Sequence, residues 1–253
     1  MNTLQIALVN KATVALGVDL SALAQALQKQ VSRDFAPIWQ TDVNLVLLDD
    51  ATDDYDNLIL FDNADQAGEL GYHDLSPKGH AYGKVFVKTS QADNESVSSV
   101  ASHELLEMLL DPYVNLSAQD NATLWAYEAA DMVENDEYNI VIPAGWTGAG
   151  RSVPVSNFAY PNWWQAGKPG PWDFLQRLKS PLQLTAGGYM SFLDLNRPGN
   201  GWQQINGRMD SSAQTVRSRP RAGSRRERRN IPRSERIIST YQPGTEAIEA
   251  EAA

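Results

Sequence analysis

Residues 97–112 read Val97-Ser98-Ser99-Val100-Ala101-Ser102-His103-Glu104-Leu105-Leu106-Glu107-Met108-Leu109-Leu110-Asp111-Pro112. No Gly or Pro interrupts the run until Pro112, which cannot continue a helix. The stretch therefore predicts one helix closed by Asp111-Pro112. On a wheel of about 100° per residue, Ala101, Leu105, Leu106, Met108, Leu109 and Leu110 cover an arc of roughly 200°. The remaining wedge, about 100° wide, holds His103, Glu104, Glu107 and Asp111 with Val100 among them, and it has no Lys or Arg. A mostly buried helix with one polar stripe is expected. His103 and Glu107 lie one turn apart, with Cβ atoms about 5–6 Å from each other, so both can reach one metal ion. Glu104 sits beside them, placed to take a proton from water. A solvated acidic face is the alternative, but solvent faces usually mix charge signs, which favours metal or catalysis.

The rest of the chain sets limits on that site. It has 253 residues, 42% hydrophobic and 21% charged, enough for one large domain or two small ones with a real core. There is no cysteine, so any metal must be held by His, Asp and Glu. No apolar run reaches the 18 or so residues of a membrane helix. The first residues lack a basic stretch followed by an apolar one, so no signal peptide is expected. A cytoplasmic or particle-associated protein without membrane contact is the expectation. The net charge of −10 is uneven: residues 1–207 hold 11 Lys+Arg and 25 Asp+Glu, whereas residues 208–253 hold 10 Arg and 6 Asp+Glu. An acidic body carries a basic tail.

Working upstream from the helix, Ala81 to Lys88 alternates like a strand, with Lys84 and Lys88 suiting a sheet edge. Leu58 to Phe61, Val43 to Leu48 and Leu4 to Val9 read as further short strands. Asp19-Leu20-Ser21 opens a helix with apolar residues at helical spacing, ending before Pro37. The acidic loop 49–56 lacks the Gly and terminal Glu of an EF-hand and reads as a solvated turn. Downstream, Thr123 to Val133 reads as a helical or turn segment, and Phe174 to Leu178 as a short helix. Leu184 to Leu195, with Gly187-Gly188, reads as a hairpin. The section 143–172 is rich in Gly, Pro and Trp and is expected to form ordered loops and short strands. Its aromatic residues, among them Trp146, Trp163, Trp164 and Trp172, suit core packing better than sugar binding, although one ring of the Trp163-Trp164 pair is expected at the surface.

The five residues His103-Glu104-Leu105-Leu106-Glu107 resemble the His-Glu-x-x-His helix of zincin metallopeptidases, in which two His bind zinc and the Glu is the general base. The preceding order of strand, helix, three strands and active helix is similar to the N-terminal half of that fold. Tyr127-Glu128-Ala129-Ala130-Asp131 looks like the second motif of the gluzincin branch. The resemblance implies an α+β fold with a zincin-like N-terminal mixed sheet and active-site helix over residues 1–135. A loop-rich portion over 136–207 and an extended basic tail over 208–253 complete the expected organisation. It implies His103, Glu107 and Glu128 as metal ligands, Glu104 as the catalytic base, and Asp131 as the acid that steadies a ligand His. It also implies a peptide or protein substrate. The chain departs from the family in carrying Glu107 where the second His belongs, and in placing the acid three rather than four residues after Glu128. The extra carboxylate keeps Zn²⁺ as the expected ion and brings in Mn²⁺ or Ca²⁺.

His73 in Gly71-Tyr72-His73-Asp74 and His80 precede the expected edge strand. A loop His without a role is the simpler reading of each, and His73 is the stronger additional candidate, as is Asp111 within the wedge. Two functions follow. One is a metal-dependent peptidase or related hydrolase. The other is a non-catalytic structural or interaction protein on a degenerate version of the fold, of the kind found in a phage or virus-like particle. In either, the Arg-rich segment 208–237 is expected to contact an acidic partner, a neighbouring subunit or nucleic acid.

Ordering such a tail costs roughly 1–2 kcal/mol per residue with little apolar burial to offset it. Limited trypsin treatment of the full chain is therefore expected to cut after 207 first; a tail that survives as long as the body would contradict that expectation.

Overall fold

A computed structural model describes residues 4–66, 69–143 and 150–207, together with the backbone of 215–217. In chain order the first elements are β1 (Leu4–Asn10), α1 (Leu20–Gln30), α2 (Ala36–Trp39), β2 (Val43–Leu48), β3 (Asp56–Phe61), β4 (Gly71–Leu75) and β5 (Ala81–Phe86). They are followed by α3 (Val87–Ala92), α4 (Val97–Leu110), β6 (Ser117–Asp120), β7 (Thr123–Ala126), β8 (Glu137–Ile142) and β9 (Arg151–Ser156). The last are β10 (Tyr189–Asp194), β11 (Gln203–Asn206) and β12 (Thr215–Arg217). The protein is thus mixed α and β, sheet-rich with few helices. No helix of the described residues is long and apolar enough to cross a membrane.

The chain forms two compact units. The first takes its described residues from Met1–Pro112 and Glu137–Ser156, the second from Tyr113–Asp136 and Asn157–Ile237. The first unit is built on a five-stranded sheet in the order β2-β1-β3-β5-β4. β1 runs parallel to β2 and β3, β3 parallel to β5, and β4 antiparallel to β5. Central β1 and β3 carry continuous apolar runs, Ile-Ala-Leu-Val from Ile6 and Leu-Ile-Leu-Phe from Leu58, as strands covered on both faces require.

On one face of this sheet lie Ala7, Val9, Ile59, Phe61, Tyr72, Tyr82 and Phe86. The opposite face of β4 and β5 meets α4. A Cβ on Gly83 would stand 2.7 Å from Met108 Sδ and 2.8 Å from Leu58 Cδ1, and one on Gly71 would stand 2.9 Å from Glu104 Cγ. These two glycines bring the helix against the strands. The other side of α4 is held by a buried polar chain. Ser102 Oγ donates to Gln30 Oε1 (2.7 Å) and accepts from the Ser156 amide (3.0 Å), while Gln30 Nε2 donates to the Ser156 carbonyl (2.9 Å). Ser98 Oγ adds a bond to the Pro154 carbonyl (2.6 Å). Every residue from Val97 to Leu109 is buried.

Several expectations are corrected. The helix begun at Leu20, capped by Asp19 Oδ1 on the Ala22 amide, does not end before Pro37. It passes through a wide five-residue π-turn, Val31–Phe35, into α2, where Pro37 occupies the first turn and needs no donor. The expected edge strand is interior, because β4 covers it. Lys84 is only 5% exposed and lies over the rings of Tyr72 and Tyr82, paired with Asp65. Burial works against its charge, but Tyr72 and Asp65 outweigh that and raise its pKa. His73 lies on strand β4 and not in a loop.

In the second unit, Thr123–Ala126 is strand β7, and only Asp131–Val133 forms a 3₁₀ turn. The sheet order is β12-β11-β10-β7-β6. Leu184–Leu195 is not a hairpin in itself: β10 is one arm, and the other is Gln203–Asn206. Phe174–Leu178 forms a turn with no helix, ordered by the buried Asp173 carboxylate, which accepts from the Arg177 and Leu178 amides. Trp163 and Trp164 are 0% and 2% exposed, so neither ring is at the surface. Their rings cross at 80°, and their Nε1 groups donate to the Gln183 and Ala126 carbonyls. Trp146 lies outside the described residues. Of the tail, only Thr215–Arg217 is described, paired antiparallel with β11.

Replacement of Gly83 by Ala is expected to cost about 1–3 kcal/mol, as overpacked cores do. The measurement is the urea midpoint at unchanged m-value; an unaltered midpoint would show that α4 does not pack this tightly.

Candidate metal centre

The polar wedge of α4 is buried within the first unit. His73 and Glu107 are 0% exposed, Glu104 2% and His103 5%. Asp111, at the end of the helix, is buried as well. A solvated acidic face is therefore excluded for these residues.

The elements that deliver them are short and specific. The turn Ser76-Pro77-Lys78-Gly79 closes the β4–β5 hairpin, with the Gly79 amide on the Ser76 carbonyl (2.9 Å) and Gly79 at φ +86°, where a side chain would be strained. That hairpin sets His73 opposite Gly83. With no side chain at Gly83, α4 approaches, and the His73 ring comes to lie beside Glu104 and Glu107.

The tautomer of His73 is fixed by its neighbour. Nε2 lies 3.1 Å from the Asp111 backbone carbonyl. A carbonyl can only accept, so Nε2 carries the hydrogen. Nδ1 then points at Glu104 Oε2 and Glu107 Oε2, each 3.7 Å away. That distance is too long for a hydrogen bond. It suits donors sharing an ion: ligand atoms around a tetrahedral ion with bonds of about 2.0–2.2 Å stand roughly 3.3–3.6 Å apart. The other oxygen of Glu107, Oε1, lies 3.1 Å from His103 Nε2. Imidazole nitrogen locked by a backbone carbonyl, with carboxylates converging on the other side of the ring, is the arrangement by which proteins orient metal ligands.

Buried His, Glu and Asp groups that could hold a metal ion are thus present. Within the first unit these are His73, His103 and Glu107, with Glu104 beside them. Of the expected set, His103 and Glu107 belong to the first unit, while Glu128 and Asp131 belong to the second, where both are buried. His80 is half-exposed, with Nδ1 3.6 Å from Asp56.

Sequence reading ranked His73 below the helix residues because it stands in an expected loop before the edge strand. The signal that reveals it is the Ser-Pro-Lys-Gly turn, which predicts a hairpin and so carries residues 71–75 into the sheet.

Compared with known protein families, curated proteins and solved structures, the chain finds no match.

If the cluster holds a divalent ion, loading the chelator-treated chain with Zn²⁺ should raise its Tm, with a gain of about 2.7 kcal/mol when free ion is 100 times Kd. Scanning calorimetry before and after EDTA treatment measures this, and superimposable melts would count against a bound metal.

Proposed function

We propose that the chain is a metal-dependent hydrolase of zincin-like type, acting on peptide bonds, with α4 as its working element. The observation that supports this best is the convergence of His73, Glu104 and Glu107 in one buried cluster, with the His73 ring nitrogen held ready by the Asp111 carbonyl. The order β2-β1-β3-β5-β4, with an antiparallel edge strand beside the helix, agrees with that reading.

His73, His103 and Glu107, all of the first unit, hold the ion in this reading. Zn²⁺ suits the imidazole donors, and the carboxylates admit Mn²⁺ or Ca²⁺. The ion, when bound, supplies positive charge that polarises a carbonyl and acidifies water. The protein's own residues do the rest. Glu104, beside them on α4, accepts the proton from water and returns it to the leaving amine. Asp111 holds the His73 ring through its backbone carbonyl. The hydrophobic helix and sheet exclude bulk water, so each charge acts in a low-dielectric setting.

A second reading has its own observation. Glu104 and Glu107 are almost fully buried, as in a centre that only stabilises a fold. The chain would then be a structural or interaction protein, a particle component among the candidates, with its Arg-rich segment 208–237 meeting an acidic partner, a neighbouring subunit or nucleic acid.

Glu104→Gln separates the two. The amide keeps the shape of the side chain but cannot take the proton, so casein hydrolysis should fall by roughly 10²–10⁴-fold while bound zinc is unchanged. Zinc-loaded wild type that cleaves neither casein nor a peptide library would remove the hydrolase reading and leave the structural one.

A further inference from the structure

We propose that Lys84 is a positioning residue: with Asp65 and Tyr72 it locks the register of strand β4 and so keeps His73 turned towards α4. This rests on the reading that His73 belongs to the metal cluster, and it adds what holds the ring there.

Strand β4, Gly71-Tyr72-His73-Asp74-Leu75, is the outermost of its sheet and pairs antiparallel with β5. Alternation puts Tyr72 and Asp74 on one face and Gly71, His73 and Leu75 on the other. Neither face is apolar throughout, so burial does not select one pairing. Strands of this kind specify their register weakly, and a shift of one residue sends every side chain to the opposite face. His73 would then leave Glu104 and Glu107 for the face that carries Phe61 and Tyr82. The turn Ser76-Pro77-Lys78-Gly79 pins the end of β4 that leads into β5. The end that enters from β3 needs its own restraint.

That restraint lies on the face opposite α4. Tyr72 and Lys84 are direct partners across the two strands, and both are buried. Tyr72 Oη donates to Asp65 Oδ2 (2.9 Å), and the same oxygen pairs with Lys84 Nζ. The ammonium stands 5.3 Å from the centre of the Tyr72 ring, 5.5 Å from that of Tyr82 and 5.8 Å from that of Phe61, within cation–π range of each. One cation thus joins β3, β4, β5 and the segment that leads into β4. Shifted by one residue, β4 would turn Tyr72 towards α4, away from Asp65 and Lys84.

A leucine would fill the same place without a buried charge. Apolar replacement of a buried ion pair is often neutral or stabilising. Burial opposes the charge here too, yet Tyr72 and Asp65 hold the Lys84 pKa above its ordinary value. What the ion pair adds over an apolar contact is direction. Asp65 and three rings fix where the ammonium stands, whereas a leucine packs equally well against a shifted neighbour.

The test is Lys84→Leu in the full, metal-free chain, followed by urea unfolding and by nitrogen-15 NMR of the histidine rings. His73→Asn assigns the His73 signals among the three histidines. Wild type should give one set of His73 ring signals, with the hydrogen on Nε2. In Lys84→Leu the urea midpoint should hold or rise, while that single set is lost to splitting or broadening. One unaltered set in the variant overturns the proposal. So does a midpoint that falls together with the signals, because an ordinary stabilising contact does the same.

If Lys84→Leu does not fold, Tyr72→Phe decides by the same signals. It removes the hydroxyl that meets Asp65 and keeps the ring. Loss of the single His73 set is expected, and an unaltered set refutes the lock. The hydrolase reading fails separately: a zinc-loaded chain that cleaves nothing ends that reading and leaves these ring signals as they are.

Discussion

The hydrogen bond between His73 Nε2 and the Asp111 carbonyl joins the outermost strand of the first sheet to the last turn of α4. The buried cluster depends on it. Without that bond, the ring could turn either nitrogen inward, and the carboxylates of Glu104 and Glu107 would face a group of undefined hydrogen-bonding character. With it, one nitrogen is committed to the backbone and the other to the carboxylates. Pro112 contributes indirectly: because the helix must stop there, the residues just before it leave carbonyls that no further turn consumes. The stop signal and the orientation of the His73 ring are thus one feature of the sequence.

Bringing carboxylates into such a place is costly. Burial of an unpaired ion carries a penalty of several kcal/mol even after relaxation. The surrounding structure offsets part of this by rigidity. Gly71 and Gly83 allow close approach of the helix to the strands, and the chain Gln30–Ser102–Ser156 fixes the helix from its other side. The small serines at 98 and 102 do for the β9 contact what the glycines do for the sheet contact. A helix held on both sides cannot shift to let its acids reach solvent. A cation placed among them would lower their energy while they stay ionised.

Much of this was readable in the sequence. Val97 to Leu110 has helical spacing, a wide apolar arc and a proline stop, and these local signals do not depend on partners. The apolar runs of β1, β2 and β3 were equally plain. What escaped had non-local causes. Gly-Tyr-His-Asp-Leu became a strand because β5 pairs with it, not because of its own pattern. Lys84 looked like an edge residue because the strand that covers it was not foreseen; Tyr72 on that strand and Asp65 then shelter its charge. Trp163 and Trp164 are both buried because the unit they belong to supplies carbonyls for both indole N–H groups, a fact no single-residue preference contains. Thr123 to Val133 reads as a helical or turn segment, yet Thr123–Ala126 is strand because β10 and β6 flank it.

The substitution that sets this helix apart from the two-histidine pattern is best understood from the same geometry. A second imidazole at 107 would give one nitrogen, directed along one line, and would leave the inward nitrogen of His73 facing a ring. Glu107 instead presents one oxygen to the strand and the other to the preceding turn of its own helix. Its full burial prevents the side chain from swinging away to water. A carboxylate is the side chain whose two equivalent acceptors match a histidine from β4 and a histidine from α4 at the same time, and the strand histidine makes sense only in its presence.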